Sequence, residues 1–481
     1  MGAAHVLGYA FSPLSGPTFE PHHRPMMHKP FMTNTKPDNI DGDWLPSIRK
    51  DFPALEGSLQ GQHPIYFDNA CNTLVPTSVI EAMDEYYCSF PACGGGRSRH
   101  RFATEVNDRI EGNPDTGRMG SRQIISEFIN ARSPREIVFT LNTTHAINMV
   151  ALGFPFRSGD TVLLTDKEHN SNLVPWLRLA KKGLIKVDRV EAAPDETFDL
   201  EAFEQKLKRG GIRLVSMGYT SNITGYTLPA REIVRIAHTY GARVLLDAAQ
   251  TAPHQKIDVQ DLDVDFLAFS LHKMCGPRGV GVLYGKRELL GDAANETDAL
   301  EPVLLGGDTV TDTTYDSYDL LPPPERFEAG LQNYPALIAA GTAVRYLEQV
   351  GLDRIQRQVR CLNQFLTERL LERYEPSGWF RIFGPRDPAQ RGGILTFEVK
   401  RPNAVGIAAE LSERYNVMIR DGVFCANSYL NREFGQGWAG PSHPSEHRMI
   451  YRASLYFYNT LEECQIFLRT LHEIFAERSY V

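Results

Sequence analysis

The chain has 481 residues, 42% of them hydrophobic, which is enough to bury a substantial core and favours two or more domains. Its formal net charge of −8, without a long block of Lys or Arg, argues against nucleic acid as a partner, and no run of about 18 apolar residues occurs that would span a membrane. The seven cysteines include no CxxC pair of the kind found in metal sites, and they are typical of reduced thiols in the cytoplasm rather than of a disulfide framework.

The first residues of the chain are predicted to form a flexible tail. Residues 1–45 are rich in proline and histidine and show no sustained hydrophobic period. A charged start followed by an apolar run is missing, so the segment does not resemble a signal peptide. A transit peptide and an upstream start codon both stay open as interpretations.

Short apolar runs alternate with longer amphipathic segments from residue 64 onward. "EIVFT" precedes "THAINMVALGF", "TVLLT" precedes "SNLVPWLRLAKK", and "IRLVSMG" precedes "AREIVRIAHTYG" and "ARVLLD". This alternation predicts crossover helices and a mainly parallel sheet. In such sheets the ligand-binding groups lie at the carboxyl ends of the strands.

The pattern changes toward the C-terminus. The runs "VDFLAFS" and "GVGVLYG" are predicted to pair as neighbours, and the proline-rich "LLPPPERFEAG" follows them. Long helices are then predicted at 333–350 and 353–374, followed by a strand in "GGILTFEV". Two further helices are predicted near 403–415 and near 460–478.

These elements predict an α/β fold with two domains after the tail. The large domain, with a mainly parallel sheet, is predicted over 46–330 and includes an N-terminal segment of the small domain. The smaller α+β domain is predicted over 331–481.

Two charged residues at predicted strand ends indicate what kind of reaction the protein could catalyse. Lys273 lies in the turn "FSLHKMCGPRGVG", where partial desolvation would lower the pKa of its ammonium group and suit it to Schiff-base formation. Asp247 ends the apolar strand "ARVLLD", and the pyridinium nitrogen of pyridoxal phosphate is a natural partner for such a carboxylate. The alternatives are a surface lysine in a turn and a capping aspartate.

Polar residues follow the other strands of the predicted sheet. Thr143 and Thr144 begin a helix whose N-terminus could hold a phosphate, although they also suit simple N-cap residues. His169 could stack on a flat ring or move protons, and Asn222 could donate to a ring oxygen or a carboxylate. Together, these residues form a phosphate site, a stacking ring, an acid and a lysine at successive strand ends.

Cys425 lies in the stretch "VMIRDGVFCANSYL". Free cysteines are often buried fillers, and their reactivity depends on the local pKa rather than on their presence. The residue is therefore either a nucleophile or part of the core.

The ordered motifs resemble those of one enzyme family. These are "YFDNACNTLVP", "GGGRSRHRFA", "FTLNTTHAINMVA", "DKEHNSNLVPW", "TSNITGYT", "LLDAAQTAPH", "FSLHKMCGPRGVGVLYG", "RFEAG" and "RASLYFYNT". The chain resembles fold-type I pyridoxal phosphate enzymes of the class V aminotransferase superfamily over about residues 46–481. Within that superfamily it is most similar to the group II cysteine desulfurases and selenocysteine lyases.

The resemblance implies roles around the cofactor. Lys273 would form the Schiff base with pyridoxal phosphate, and Asp247 would pair with its pyridinium nitrogen. His169 would stack on the ring, while Asn222 and Gln250 would lie near the phenolic oxygen. The phosphate would be held by four residues: Thr143, Thr144, Ser270 and His272.

The resemblance also implies the substrate contacts and the reaction. The substrate would contact Arg452, the family's carboxylate-binding arginine, together with Arg97, Asn222 and Arg420. Cys425 aligns with the cysteine that takes sulfur from L-cysteine as a persulfide, with alanine as the product. The implied partners are a small amino-acid substrate, a second copy of the chain in a homodimer and a sulfur-acceptor protein.

Three departures from the family pattern keep an alternative open. Val423 and Phe424 precede Cys425 where a histidine is common, and the segment 426–451 is long and loop-like in composition. "RFEAGLQN" has Leu331 and Gln332 in place of threonine and proline. Because fold does not settle reaction, the alternative is a C–S lyase, an epimerase or a carbon–carbon bond-forming enzyme that does not use Cys425 as sulfur acceptor. A non-catalytic binding protein on the same fold is a third interpretation.

Overall fold

The structure is a computed structural model that describes residues 41–57, 63–96, 98–292, 297–436, 438 and 448–481. Residues 1–40 of the predicted tail and Arg97 lie outside the described residues. The last part of the predicted tail is packed onto the fold, since Leu45 is buried and the carboxylate of Asp41 accepts a hydrogen bond from the N–H of Leu461.

Helices and strands alternate along most of the described chain. The helices are α1 (Leu45–Arg49), α2 (Pro53–Glu56), α3 (Thr77–Ser89), α4 (Arg101–Ile110), α5 (Ser121–Phe128), α6 (Thr143–Gly153), α7 (Val174–Lys181), α8 (Leu200–Lys208), α9 (Ala230–Thr239), α10 (Val259–Leu262), α11 (Tyr334–Val350), α12 (Leu352–Tyr374), α13 (Ile407–Tyr415), α14 (Asn427–Phe434) and α15 (Leu461–Glu477). The strands are β1 (Ile65–Tyr66), β2 (Ile137–Thr140), β3 (Thr161–Thr165), β4 (Lys186–Val190), β5 (Ile212–Gly218), β6 (Arg243–Asp247), β7 (Phe266–Ser270), β8 (Gly281–Gly285), β9 (Val310–Thr313), β10 (Tyr318–Leu320), β11 (Phe380–Ile382), β12 (Ile394–Val399), β13 (Val417–Met418), β14 (Arg420–Asp421) and β15 (Met449–Ser454).

A seven-stranded sheet forms the centre of the molecule. Its strand order is β2-β8-β7-β6-β5-β3-β4, and every strand except β8 runs in the same direction. Strands β2, β7 and β8 are buried along their whole length because apolar helices cover both faces of the sheet. The predicted mainly parallel sheet is confirmed, and so is the predicted pairing of β7 with β8.

The crossover helices bury one face each, as their sequences require. On α9 the residues Ile233, Val234 and Ala237 are spaced for a single helix face and pack against the sheet. On α6 the side chain of Asn142 caps the N-terminus by accepting the N–H of His145, and Ile147 is buried one turn later.

A second, smaller sheet has its own core. Its order is β11-β12-β15-β14, all antiparallel, and α12 and α15 cover it. Strand β1 pairs with β13, so a segment early in the described chain contacts the C-terminal part of the fold. Helix α13 begins at Ile407 rather than near 403, because Gly406 has a left-handed φ of 87° that no continuous helix contains. Chain contacts group the described residues into one compact unit, so the boundary at residue 330 stays a prediction.

The segment after Cys425 is not simply a loop. Residues 427–434 form α14, because Tyr429 and Leu430 pack against Phe383 and so stabilise a helix that composition alone does not indicate. The rest of the segment, 437 and 439–447, lies outside the described residues. Within the described part of the chain, no helix has the length and apolar character needed to cross a bilayer.

Candidate active site

A cavity of about 310 Å³ opens where the parallel strands end. The lining residues lie at or just after the carboxyl ends of strands β2, β3, β5, β6 and β7, as the βα pattern predicts. Twelve of the thirteen predicted site residues line it: Thr143, Thr144, His169, Asn222, Asp247, Gln250, Ser270, His272, Lys273, Arg420, Cys425 and Arg452. The thirteenth, Arg97, lies outside the described residues.

Lys273 and Asp247 face the same cavity without touching. Among the described side chains neither forms an ion pair, and the carboxylate of Asp247 accepts only the N–H of Ala249, at 3.0 Å. Burial lowers the pKa of Lys273, while the charge of Asp247 opposes that shift. A buried acid and an amine that line one cavity without pairing with each other leave both groups available to a ligand that binds there.

Hydroxyl groups gather at the N-terminus of α6. The N–H of Thr143 donates to the Ser270 Oγ at 2.8 Å, and the two hydroxyl oxygens are 2.6 Å apart. The hydroxyl of Thr144 lies 2.7 Å from that of Ser171. Gly281 is needed beside this turn, since a Cβ there would come within 2.5 Å of the Asn142 Cα. Hydroxyls and a positive helix end suit a phosphate group.

His169 is held as a neutral ring. Its Nδ1 accepts the N–H of Ser171 at 3.1 Å, which leaves the proton on Nε2. Burial, and after it the charges of Lys273 and Arg452, lower the pKa of His169 to about 3. A neutral imidazole that faces the cavity suits stacking on a flat cofactor ring.

The two amide side chains of the site are already partnered. Gln250 donates to the carbonyl of Ala70 at 2.8 Å, and Asn222 donates to the carbonyl of Phe424 at 2.7 Å. The Asn222 contact ties the end of β5 to the loop that carries Cys425. Proximity of either amide to a phenolic oxygen stays a prediction.

Arg452 is the buried cation of the cavity, with 3% of its side chain exposed. It donates to the carbonyl of Asn222 at 3.2 Å and to Asp68 at 3.4 Å, and its guanidinium lies 4.8 Å from the ring centre of Phe424. Its buried Nε has no partner among the described residues. A fixed guanidinium with an unused donor fits a substrate carboxylate.

Cys425 is exposed, on a turn that directly precedes α14. Phe424 and Cys425 both have left-handed backbones, with φ of 48° and 56°. The turn is held by the N–H of Asn170, which donates to the Cys425 carbonyl at 2.6 Å, and by the Asn222 contact. Two successive non-glycine residues in this conformation are costly and mark a functional loop.

Sequence reasoning missed Glu168, a buried carboxylate that lines the cavity. Its oxygens accept hydrogen bonds from the Thr165 hydroxyl at 2.6 Å, from Asn172 at 2.8 Å and from the N–H of Gly218 at 3.0 Å. It therefore joins the ends of β3 and β5 and sets the position of His169. Its place in the polar run "DKEHNSN" gave no signal beyond that of an ordinary turn. Cys71 was missed for the same reason and also lines the cavity.

Glu168 makes stability depend on pH. Burial raises its pKa to about 7 from the usual 4.5, although its hydrogen-bond donors oppose the shift. The folded protein then holds this proton more tightly than the unfolded chain, so stability is lost as the pH rises from about 4.5 to about 7. We expect the Tm of wild type to fall across this range relative to that of Glu168→Gln, which cannot ionise. Calorimetry of both proteins at several pH values checks this, and parallel curves would contradict it.

The residues fit pyridoxal phosphate. The cavity supplies an unpaired buried carboxylate, an unpaired amine, a neutral ring and a hydroxyl-rich helix N-terminus, each a match for one part of that cofactor. Lys273, Asp247 and His169 would hold the ring. Thr143 and Ser270, with Thr144 and His272, would hold the phosphate.

Comparison with known proteins gives one consistent result. Residues 65–467 match the aminotransferase class-V family. A probable cysteine desulfurase from Pyrococcus abyssi is 37% identical over 430 residues, which cover 89% of this chain and 96% of that protein.

Solved structures agree with this relationship. The apo structure of a cysteine desulfurase from Thermococcus onnurineus NA1 has a TM-score of 0.77 at 36% identity, covering 92% of this chain and 99% of that one. The S-sulfonic acid form of a cysteine desulfurase from Escherichia coli has a TM-score of 0.75 at 29% identity, covering 90% of this chain and 98% of that one.

Proposed function

This chain belongs to the aminotransferase class-V family, and from that premise we propose that it is a pyridoxal phosphate-dependent cysteine desulfurase. It converts L-cysteine to alanine and takes the released sulfur as a persulfide on Cys425. The observation that carries the proposal is that Cys425 lines the same cavity as Lys273 and Asp247. Relatives of this chain that are named cysteine desulfurases support the choice of reaction.

The protein groups around the cofactor have distinct tasks. Pyridoxal phosphate, when bound, withdraws electrons from bonds at the α-carbon of an amino acid. Lys273 is the amine that holds the cofactor and then moves a proton at the substrate carbon, and its lowered pKa favours the neutral form that can accept one. Asp247 supplies a fixed negative charge near Lys273.

Arg452 positions the substrate. Its unpartnered Nε and the other N–H groups of the guanidinium donate to the carboxylate of L-cysteine. The site is buried, and a charge-assisted pair is strong there. Phe424 covers the guanidinium and excludes water from that pair. The thiol end of the substrate is thereby turned toward the loop of Cys425.

Cys425 is the sulfur acceptor. Its sulfur forms a bond to the substrate sulfur as the carbon–sulfur bond breaks, and the carbon gains a proton. Cysteine and the enzyme thiol thus become alanine and an enzyme persulfide, with no other reactant. Exposure of Cys425 suits the transfer of that sulfur to a separate acceptor protein, which we propose as a partner.

We also propose a homodimer in the cytoplasm. Apolar side chains are exposed around the hairpin of β9 and β10 and just after it, among them Leu304, Tyr315, Tyr318 and Leu331. Apolar surface of this kind is usually covered by a partner, and a second copy of the chain is the proposed one. All seven cysteines are free, which supports a reducing compartment.

The test is a mass measurement on the purified holoenzyme. With L-cysteine and no reductant, we expect alanine to form and the Cys425 peptide to gain the mass of one sulfur atom. Cys425→Ser removes that mass gain and stops sulfide release to added reductant. Cys88→Ser, which changes an exposed thiol at the end of α3, is the matched control and should behave as wild type.

One outcome would favour the alternative reaction. If Cys425→Ser releases sulfide from L-cysteine as fast as wild type, and no persulfide is found on wild type, the enzyme is a C–S lyase that does not need this thiol. If L-cysteine is not consumed at all, the epimerase and carbon–carbon bond-forming alternatives take its place.

A further inference from the structure

We propose that Cys71 is a second sulfur-accepting thiol, which takes the sulfur from the persulfide of Cys425 inside the active-site cavity. The inference rests on the proposed function of Cys425 and adds a site that the reaction itself does not require. Cys71 and Cys425 are far apart in the sequence, yet both line the cavity at the ends of the parallel strands.

The first argument is the contact that Cys71 makes. Its sulfur accepts a hydrogen bond from the Arg420 Nη1 at 2.7 Å. The same guanidinium nitrogen is 3.8 Å from the Asp68 carboxylate, so it lies closer to the thiol than to the nearest acid. A guanidinium has only donors, and therefore the sulfur is the acceptor in this pair.

The second argument is the charge around Cys71. Arg420 and Arg452 are paired residues of β14 and β15, so two guanidinium groups lie side by side on this wall. Burial lowers the pKa of Lys273, and the thiols of Cys71 and Cys425 are among the groups that act against this shift, so the lysine is close to both. A partly exposed thiol among cations is the setting in which cysteines react.

The third argument is that the other cysteines lack this setting. Within the described lining of the cavity, Cys71 and Cys425 are the two cysteines present. Cys275 and Cys464 are buried, which suits inert packing. Cys88 and Cys93 are exposed away from the cavity, and Cys361 lies on α12.

The fourth argument is that a short stretch of chain connects the strand beside Cys71 to the turn that carries Cys425. Strand β14, which holds Arg420 against Cys71, leads through Gly422 into the turn of Cys425. Gly422 has a φ of 103°, a conformation that favours glycine and allows the turn to change direction. The transfer that we propose requires the turn to move about Gly422, so that Cys425 comes close to the sulfur that Arg420 holds.

The transfer is a simple thiol exchange. The Cys71 thiolate attacks the terminal sulfur of the Cys425 persulfide, and a new sulfur–sulfur bond forms as the old one breaks. The electron pair of the broken bond stays on Cys425, which leaves as a thiolate, and the terminal sulfur keeps its proton. The step consumes one persulfide and one thiolate and forms one persulfide and one thiolate, so no oxidant or reductant is needed.

The first experiment follows sulfur through the holoenzyme. Limiting L-cysteine is added without reductant, the reaction is quenched in acid, and the cysteine peptides are weighed. We expect one added sulfur on the Cys425 peptide and then on the Cys71 peptide. Cys71→Ser should keep it on Cys425, Cys425→Ser should carry it on neither, and Cys88→Ser should match wild type.

The second experiment does not depend on turnover. In a holoenzyme with Cys88, Cys93 and Cys361 changed to serine, one equivalent of an aromatic disulfide that releases a coloured thiolate is added. Reaction of one cavity thiol with the reagent forms a mixed disulfide and releases one coloured thiolate. Attack by the other cavity thiol on that mixed disulfide releases a second coloured thiolate and links Cys71 to Cys425. Cys71→Ser in this background should release one thiolate only and keep the mixed disulfide on Cys425.

The outcomes separate the two proposals. Sulfur on Cys425 that never reaches Cys71, or sulfur on Cys71 in Cys425→Ser, overturns the transfer while leaving the desulfurase function intact. If neither alanine nor a persulfide forms, the desulfurase function is refuted. The disulfide experiment then tests separately whether the thiols of Cys71 and Cys425 react with each other. A second thiolate release with the linked peptide supports the close approach of the thiols, and two separate mixed disulfides overturn it.

Discussion

Replacing Lys273 with alanine is expected to lower L-cysteine turnover by more than about 10⁴-fold, because it removes both the amine that holds the cofactor and the group that moves the proton. Lys273 directly follows β7 and lines the cavity, and burial lowers its pKa. Turnover is measured as alanine formed, and the visible absorbance of the bound cofactor should change with the variant.

A matched lysine separates this effect from a general loss of charge. Lys286 lies just beyond β8 at the opposite edge of the same sheet, where it pairs with Asp263 at 2.7 Å. Lys286→Ala should keep turnover near the wild-type value. A Lys273→Ala protein that retains both turnover and the wild-type absorbance would refute the assignment of this lysine.

Asp247→Asn should lower turnover by roughly 10²–10³-fold, the effect typical of removing one preorganised electrostatic contact from an active site. Asparagine keeps the size of the side chain and an oxygen for the N–H of Ala249, so the fold should not change. What is lost is the negative charge near Lys273. Because that charge raises the pKa of Lys273, the pH dependence of turnover should also shift toward lower pH.

Asp247→Glu serves as the conservative control. It restores the charge with a longer side chain and should recover part of the lost turnover and of the pH shift. Equal turnover in Asp247→Asn and wild type, with cofactor bound in both, would show that this carboxylate has no electrostatic role.

Much of the fold could be predicted because its signals are local. The strand of Ile212–Gly218 and the helix of Tyr334–Val350 each show their own period, and the order of elements then dictates a parallel sheet. Several predicted site residues follow from the same logic, since strand ends such as those at Asp247 and Ser270 must meet at one edge. Others, among them Gln250 and Arg452, follow only from the resemblance to the family. The described members of both groups line one cavity.

What could not be predicted depends on long-range packing. Cys71 reaches the cavity because Asp68 bridges to Ser454, a pairing between the first and last parts of the described chain. Helix α14 forms because Tyr429 packs against Phe383, while its own sequence is only moderately helical. Neither contact leaves a periodic trace in the sequence, so reading along the chain does not find it.

The turn of Cys425 has a consequence for timing. Two left-handed residues cost about 1–2 kcal/mol each, while two hydrogen bonds return roughly 1–3 kcal/mol in all, and burial of Phe424 contributes about 1.5–3 kcal/mol. The turn is therefore held in its described position by a net free energy of no more than a few kcal/mol. A loop held this weakly opens within microseconds to milliseconds, which is short beside the turnover time of a typical enzyme. We therefore expect the opening of this turn not to limit sulfur transfer from Cys425.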